Sequence, residues 1–252
     1  MTELALAATY DREVHASPAR IWENVFDWEH LAHLHDGSFA ACALLDRGDW
    51  GWRVTLTPAG GTPQVIELRA DRAAARHTST TLAGTETGTE IRVTLHPRAP
   101  HVTDVVVAFH LPETRPDRLA ALGEAYRSAY ARLWDEDEAM MQARERALAS
   151  RPVPDRTAPP LDLGDEAKVR ACLPLAFAWG GAPFRLVAHS ALCPHWLGPL
   201  DEAPVVAGEV RCPWHGYRFA VATGLCAAHP ELRLAPAPVI RVEEGRVIAA
   251  FG

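Results

Sequence analysis

Ala191-Leu192-Cys193-Pro194-His195-Trp196-Leu197-Gly198-Pro199-Leu200 and Arg211-Cys212-Pro213-Trp214-His215-Gly216-Tyr217-Arg218-Phe219 are the two passages that decide how this chain is read. Each offers one thiolate and one imidazole, spaced C-x-H in the first and C-x-x-H in the second. Soft thiolates combined with imidazoles suit either zinc or an iron–sulfur centre. Zinc sites usually bring cysteine next to cysteine and histidine next to histidine along the chain. Here the order is Cys-His and again Cys-His. Gly198 and Gly216 stand where each loop is expected to bend tightly, which glycine permits at low steric cost.

With their proline and glycine neighbours, the two passages resemble the Rieske signature. Thr223-Gly224 and the proline-rich Leu234-Ala235-Pro236-Ala237-Pro238 that follow also fit it. The resemblance implies a 2Fe–2S cluster held by Cys193 and Cys212 on one iron and by His195 and His215 on the other. Histidine in place of cysteine raises the reduction potential of such a cluster.

At 252 residues the chain has room for one or two domains, each with its own core. A formal charge of −7 argues against a nucleic-acid or anionic-membrane partner. No uninterrupted apolar run of about eighteen residues is present, so no membrane span is expected. The first residues lack the basic start and apolar stretch of a signal peptide. Cys42, Cys172 and Cys226, the three cysteines outside the motif, stand far apart and are expected to behave as small buried hydrophobes. This usage suits a reducing compartment, and a cytoplasmic protein is expected.

The first half reads differently. Residues 2–15 alternate weakly as a strand. Ser17-Pro18 then supplies a helix N-cap and a proline at the first helical position, and Ile21, Trp22, Val25 and Phe26 form the apolar face. Strand-like runs follow at 39–47, 50–57, 64–70, 74–82, 88–96 and 102–110, separated mostly by glycine-rich turns, which suggests one antiparallel sheet. From Pro116 to Ala149 the period becomes helical, with Leu119, Leu122, Tyr126, Tyr130, Leu133 and Met141 on one stripe. This order resembles the helix-grip fold of the START and polyketide-cyclase superfamily, as does the opening Val14-His15-Ala16-Ser17-Pro18-Ala19-Arg20-Ile21-Trp22. The expected fold class is α+β: a helix-grip domain with an antiparallel sheet and a long C-terminal helix over 1–149, then an all-β Rieske domain over 161–252. Residues 150–160, with four prolines, read as a semi-rigid linker.

Asn24, Asp27, His30 and His35 fit N-x2-D-x2-H-x4-H, which resembles the mononuclear iron motif of Rieske non-haem iron oxygenases. That resemblance implies His30 and His35 as ligands of Fe(II), and Asp27 as the acid linking the metal site to a cluster histidine. Spacing alone favours His30 and His33 as neighbours on one helical face, so the choice of His35 requires the helix to loosen or end near Leu34. The third ligand is expected on the acidic stretch Asp135-Glu136-Asp137-Glu138, which resembles the family's acidic helix. Asp137 falls near the middle of the apolar stripe, where an acid is costly unless paired or bound to metal. Asp135 faces the other way, and Glu136 lies at the edge.

The resemblance therefore implies an oxygenase that uses O2 and electrons from a separate reductase or ferredoxin to oxidise a small, largely apolar organic substrate, and a homo-oligomer, a trimer in the family. No nucleotide-binding glycine motif is present for the chain to take electrons from NAD(P)H itself. The competing reading is an electron-transfer or redox-sensing Rieske module joined to a START-like ligand-binding module without oxygenase activity. Two departures stand out. Rieske oxygenase large subunits carry the cluster domain first, and here it is second. Residues 177–192 look too short for the hairpin that usually precedes the first cluster loop.

Overall fold

The computed structural model describes residues 4–150, 153, 155–173, 175–186 and 189–250. The first residues of the predicted opening strand and residues 151, 152 and 154 of the predicted linker therefore lie outside the described residues. The chain divides into two compact units between Glu145 and Arg146, a few residues before the boundary expected at 149.

The first unit runs β1 (Ala5–Val14), α1 (Pro18–Phe26), β2 (Phe39–Gly48), β3 (Gly51–Pro58), β4 (Gln64–Asp71), β5 (Arg76–Ala83), β6 (Glu90–Ala99), β7 (Val102–Leu111) and α2 (Pro116–Ser150). The seven strands form one antiparallel sheet in the order β1-β7-β6-β5-β4-β3-β2. All but one of the neighbours in that order are consecutive in sequence, and β1 closes the edge against β7. In β7 burial alternates strictly, with Thr103, Val105, Val107, Phe109 and Leu111 facing inward, as the two-residue period of a half-covered strand requires. Burying each of the larger apolar side chains contributes roughly 1.5–3 kcal/mol. The inward faces of β1, β3, β4, β6 and β7 pack with Ile21 and Val25 of α1 and Trp134 and Met141 of α2 in one core. Gly123 lets α2 close on β1, since a Cβ there would sit 2.5 Å from the Ala7 carbonyl oxygen. This is the expected helix-grip fold: a curved sheet wrapped against one long helix.

The second unit is built from small sheets: β8 (Leu161–Asp165), the short helix α3 (Glu166–Ala171), β9 (Ala176–Trp179), β10 (Ala182–Arg185), β11 (His189–Ser190), β12 (Val205–Val206), β13 (Glu209–Arg211), β14 (Arg218–Ala220), β15 (Val239–Glu243) and β16 (Arg246–Ala250). They form three three-stranded sheets, β11-β10-β9, β12-β13-β14 and β15-β16-β8. The hairpin for which residues 177–192 look too short is present. Trp179 pairs with Ala182, leaving Gly180 and Gly181 as a two-residue loop. Both have positive φ, 55° and 79°, which is the conformation of the tightest hairpin turns. Of the three cysteines expected to be buried, Cys226 is buried and Cys42 half-buried, but Cys172, at the end of α3, is exposed.

Candidate metal and cluster centres

The motif in the first unit sits where α1 ends. Ser17 caps its start, the hydroxyl accepting from the Arg20 amide at 3.4 Å. The helix stops at Phe26, eight residues before the expected break. In a continuing helix the Glu29 amide would donate to the Val25 carbonyl. Instead that amide donates to Asp27 Oδ1 at 3.1 Å, and the Val25 carbonyl accepts from Trp52 Nε1 on β3 at 2.8 Å. Both groups stay satisfied. His30 then lies in a single 3₁₀ turn, Glu29–Ala32, and His35 in the turn that leads into β2, its carbonyl accepting from the Ser38 and Phe39 amides.

Released from one helical face, the two rings converge. His30 and His35 are both buried, 5.1 Å apart between ring centroids. Asp137 of α2 reaches between them: its Oδ1 is 3.4 Å from His30 Nε2 and 3.1 Å from His35 Nε2. One ligand atom from each of the three lies within 4.8 Å of the others. Adjacent ligands of a six-coordinate dication with bonds of roughly 2.1 Å stand about 3 Å apart, so this donor set fits a first-row metal. His33 is only half-buried and does not join the group.

The opposite ring nitrogens face carboxylates. His35 Nδ1 is hydrogen-bonded to Glu136 Oε2 at 2.5 Å, whereas His30 Nδ1 lies 3.3 Å from Asp27 Oδ2 without a hydrogen bond. A carboxylate on Nδ1 turns Nε2 toward the metal and raises its basicity. Asn24, buried on α1, donates its side-chain amide to Asp137 Oδ1 at 2.8 Å. Burial pushes the Asp137 pKa up, but His35, His30 and Asn24 outweigh it and hold the carboxyl below its usual range. Burial lowers His35, and Asp137 and Glu136 reverse that, leaving it raised. Glu136 and Asn24 are the contributors that sequence reasoning missed. Helical periodicity puts Glu136 only at the stripe's edge, and the motif contains Asn24 without giving it a role. Asp135 does face away, pairing with Arg12 at 2.6 Å.

These groups open onto a cavity of about 280 Å³ between the sheet and α2, lined otherwise mainly by apolar side chains such as Trp52, Leu68, Ile91, Val93 and Leu133. Tyr130 also lines it, its phenol pKa raised by burial and by Asp137.

In the second unit the two loops repeat one backbone pattern. The Cys193 amide donates to the Gly198 carbonyl at 2.9 Å, and the Cys212 amide to the Tyr217 carbonyl at 2.8 Å, five residues on in each case. The Cys193 carbonyl accepts from the Leu197 amide and the Cys212 carbonyl from the Gly216 amide, four residues on. The residue four past the cysteine has positive φ in both loops: 62° at Leu197 and 68° at Gly216. Gly216 therefore makes the expected bend. Gly198 does not; it leaves room, since a Cβ there would lie 2.9 Å from Cys212 Sγ.

Cys193, Cys212 and His215 are buried and His195 is half-buried. The two thiols hydrogen-bond each other, and the backbone amides two and three residues past each cysteine point at its sulfur. The shared hydrogen bond, helped by these amides, pulls the Cys212 thiol down to about 4; the same hydrogen bond and burial push Cys193 up against the pull of its own amides. The His195 and His215 rings are 4.6 Å apart at 85°. Two thiols and two imidazoles brought together, with amides aimed at the sulfurs, fit a mixed cysteine–histidine iron–sulfur cluster.

Apoptosis-inducing factor 3 from Mus musculus and from Homo sapiens are each 34% identical to this chain over 64 residues, 25% of this chain and 10% of theirs. The matched part thus spans about a tenth of those relatives. Similar solved structures include a START superfamily protein from Mycobacterium smegmatis, at 20% identity and a TM-score of 0.44 over 55% of this chain and 99% of its own. Another is the Zhui aromatase/cyclase from Streptomyces sp. R1128, at 16% identity and a TM-score of 0.46 over 56% and 96%. Residues 165–241 match the family described as Rieske [2Fe-2S] domain, so this chain joins a helix-grip unit to a C-terminal Rieske domain, an iron–sulfur electron-transfer module.

Proposed function

We propose that the chain is a Rieske-type oxygenase acting on a small, largely apolar organic molecule. The observation that carries the reading is one cavity with two characters: apolar walls sized for a small ligand, and a buried group of two imidazoles and a carboxylate in its lining. Two histidines and a carboxylate with open positions are the ligand set of ferrous oxygenases. In that role His30, His35 and Asp137 hold Fe(II), and Cys193, His195, Cys212 and His215 hold the 2Fe–2S cluster. When bound, the iron supplies O2 activation and the cluster supplies electrons one at a time from a separate reductase or ferredoxin.

The chain's own groups set the conditions for that chemistry. Glu136 holds the Nδ1 side of His35 and Asp27 faces that of His30, which leaves both Nε2 atoms turned toward Asp137 and the metal position. Asn24 orients Asp137 by donating to Oδ1, the oxygen that lies between the two imidazoles. Asp27 places a buried carboxylate 3.3 Å from His30 Nδ1, where it balances charge on the imidazole as the charge on the metal site changes. Leu68, Ile91, Val93 and Leu133 exclude water from the substrate, which strengthens polar interactions within the site.

Metal analysis tests the reading. An oxygenase carries three irons per chain, two in the cluster and one outside it, whereas an electron carrier with a ligand-binding module carries two. His30→Ala should remove one iron and leave the cluster's visible absorption unchanged. Iron content that does not fall in that variant sinks the mononuclear assignment. Substrate-dependent O2 consumption with an artificial donor then separates an oxygenase from an idle metal site.

A further inference from the structure

His77 is a buried histidine that the metal group does not use. It stands on β5, the central strand of the sheet, 8% exposed, and neither ring nitrogen has a hydrogen-bond partner. Buried polar groups in native proteins are nearly always paired, and each one left unpaired is destabilising. The ring meets Trp22 edge-on at 6.4 Å and lines the cavity. Ser79 and Thr81, on the same face of β5, line it as well. Their neighbours on β4 and β6 are apolar: Ala70 and Val93 beside His77, Leu68 and Ile91 beside Ser79, and Ile66 beside Thr81. The middle strand thus lays a polar stripe along an otherwise apolar floor.

We propose that His77 anchors the cavity's ligand through a hydrogen bond, and that this ligand is a small, uncharged, largely apolar molecule bearing a hydroxyl or carbonyl oxygen. The inference rests on reading the cavity as a substrate chamber and narrows the class of substrate it takes. Burial lowers the His77 pKa to about 4. At pH 7 the ring is therefore neutral, with one N–H donor and one acceptor nitrogen, and it suits an alcohol or a ketone better than a carboxylate. The charged side chains in the lining are Asp27, Glu86 and Asp137, and no lysine or arginine is among the described lining residues. Away from the metal group, the lining therefore offers no cation to pair with an anionic ligand. The volume lies at the small end of ligand sites, which run from roughly 300 to 1,000 Å³, and so fits a one- or two-ring molecule. His77 makes and breaks no covalent bond in this role.

The test uses the full-length, iron-loaded chain and two probes that differ by one hydroxyl, 2-naphthol and naphthalene, followed by quenching of tryptophan fluorescence. Trp52 and Trp134 line the cavity and report occupancy. The wild type should bind 2-naphthol roughly 2- to 12-fold more tightly than naphthalene, the ratio one net hydrogen bond supplies. His77→Phe should keep the naphthalene affinity and bring the ratio to about one. His77→Gln, which retains a donor and an acceptor, should keep part of the preference and carries the test if the phenylalanine variant does not fold. An undiminished ratio in His77→Phe, or a wild type that prefers neither probe, overturns the proposal. Iron is measured on the same samples. If His30→Ala retains all its iron while the 2-naphthol preference persists, the metal reading fails and His77 stands. If the preference is absent while His30→Ala loses its one iron, the role of His77 fails and the metal site stands.

Discussion

Replacing Gly198 by alanine tests the geometry of the cluster loops with one methyl group. Gly198 does not have positive φ, so alanine brings no backbone strain, only a Cβ. That atom would lie 2.9 Å from Cys212 Sγ and 3.1 and 3.2 Å from two ring carbons of Trp214. Relaxed heavy-atom contacts are roughly 3.5–4.0 Å, so each must open by about 0.3–1 Å. Trp214 is buried and has little room to retreat. The Gly198 carbonyl accepts from the Cys193 amide, so moving the loop moves Cys193 too. Whichever side yields, a cysteine is displaced, whereas metal–ligand distances tolerate only about 0.2 Å. The overpacking itself costs roughly 1–3 kcal/mol, which a folded unit can survive; the ligand geometry is what fails. Iron and acid-labile sulfide assays, with the visible spectrum, should show the cluster largely lost from Gly198→Ala. Gly208→Ala is the control: its φ is +82° but nothing lies within 4 Å of the added carbon, so it should lose about 1–2 kcal/mol of stability and keep its cluster. A Gly198→Ala chain with wild-type iron, sulfide and spectrum would refute the argument.

Three further outcomes are expected. Glu136→Gln removes the charge that holds His35 Nδ1 at 2.5 Å and should weaken iron binding outside the cluster about 10- to 100-fold; equal retention against a chelator titration would show that Glu136 does not orient His35. His77 has its pKa depressed from 6.5 to about 4 by burial, so the unfolded chain takes up its proton first as pH falls. The associated stability is complete above about 6.5 and declines by about 3 kcal/mol as pH drops to 4; urea denaturation across this window should give a shallower pH dependence for His77→Phe, and parallel curves would contradict the assignment. Arg12 reaches across from β1 to Glu138 of α2 at 2.6 Å, their side chains 20% and 11% exposed. Breaking a fully buried pair costs about 3–5 kcal/mol, reduced here by partial exposure and by the second partner Asp135, so Arg12→Met should cost about 2 kcal/mol in chemical denaturation, with Glu138→Leu in the same chain restoring part. A single-variant loss below about 0.5 kcal/mol would mean that the pair does not fasten β1 to α2.

What the sequence discloses here depends on how locally the information is written. The two Cys-His pairs stand in two short loops, and the sheet declares itself through alternation, β7 most plainly. Asp137 can be picked out because its period places a carboxylate on an apolar stripe. Glu136 cannot, because its partner His35 is 101 residues away and only the folded chain shows which edge of α2 meets which turn. His77 reads as one more inward residue of an alternating strand; that both of its nitrogens lack partners is a property of three strands and a cavity. The hairpin before the first cluster loop escapes a count of residues for a different reason. Gly180-Gly181 turns the chain in two residues through positive φ values, so the segment spends less of its length on the turn than a longer loop would.

The spacing of His30 and His35 carries the most general point. Five residues do not return to the same face of an α-helix, so on sequence grounds His33 looks the better companion of His30. The chain resolves this by ending α1 early, where a carbonyl and an amide released from the helix both find other partners. Trp52 takes the carbonyl that the next turn would have used, and Asp27 Oδ1 takes the amide. Asp27 Oδ2 meanwhile faces His30 Nδ1 at 3.3 Å. One side chain therefore both caps the end of the helix and places a carboxylate beside an imidazole presented by the turn that follows. The aspartate three residues before His30 thus takes the Glu29 amide where α1 ends, and that early end is what lets a five-residue spacing bring His30 and His35 together.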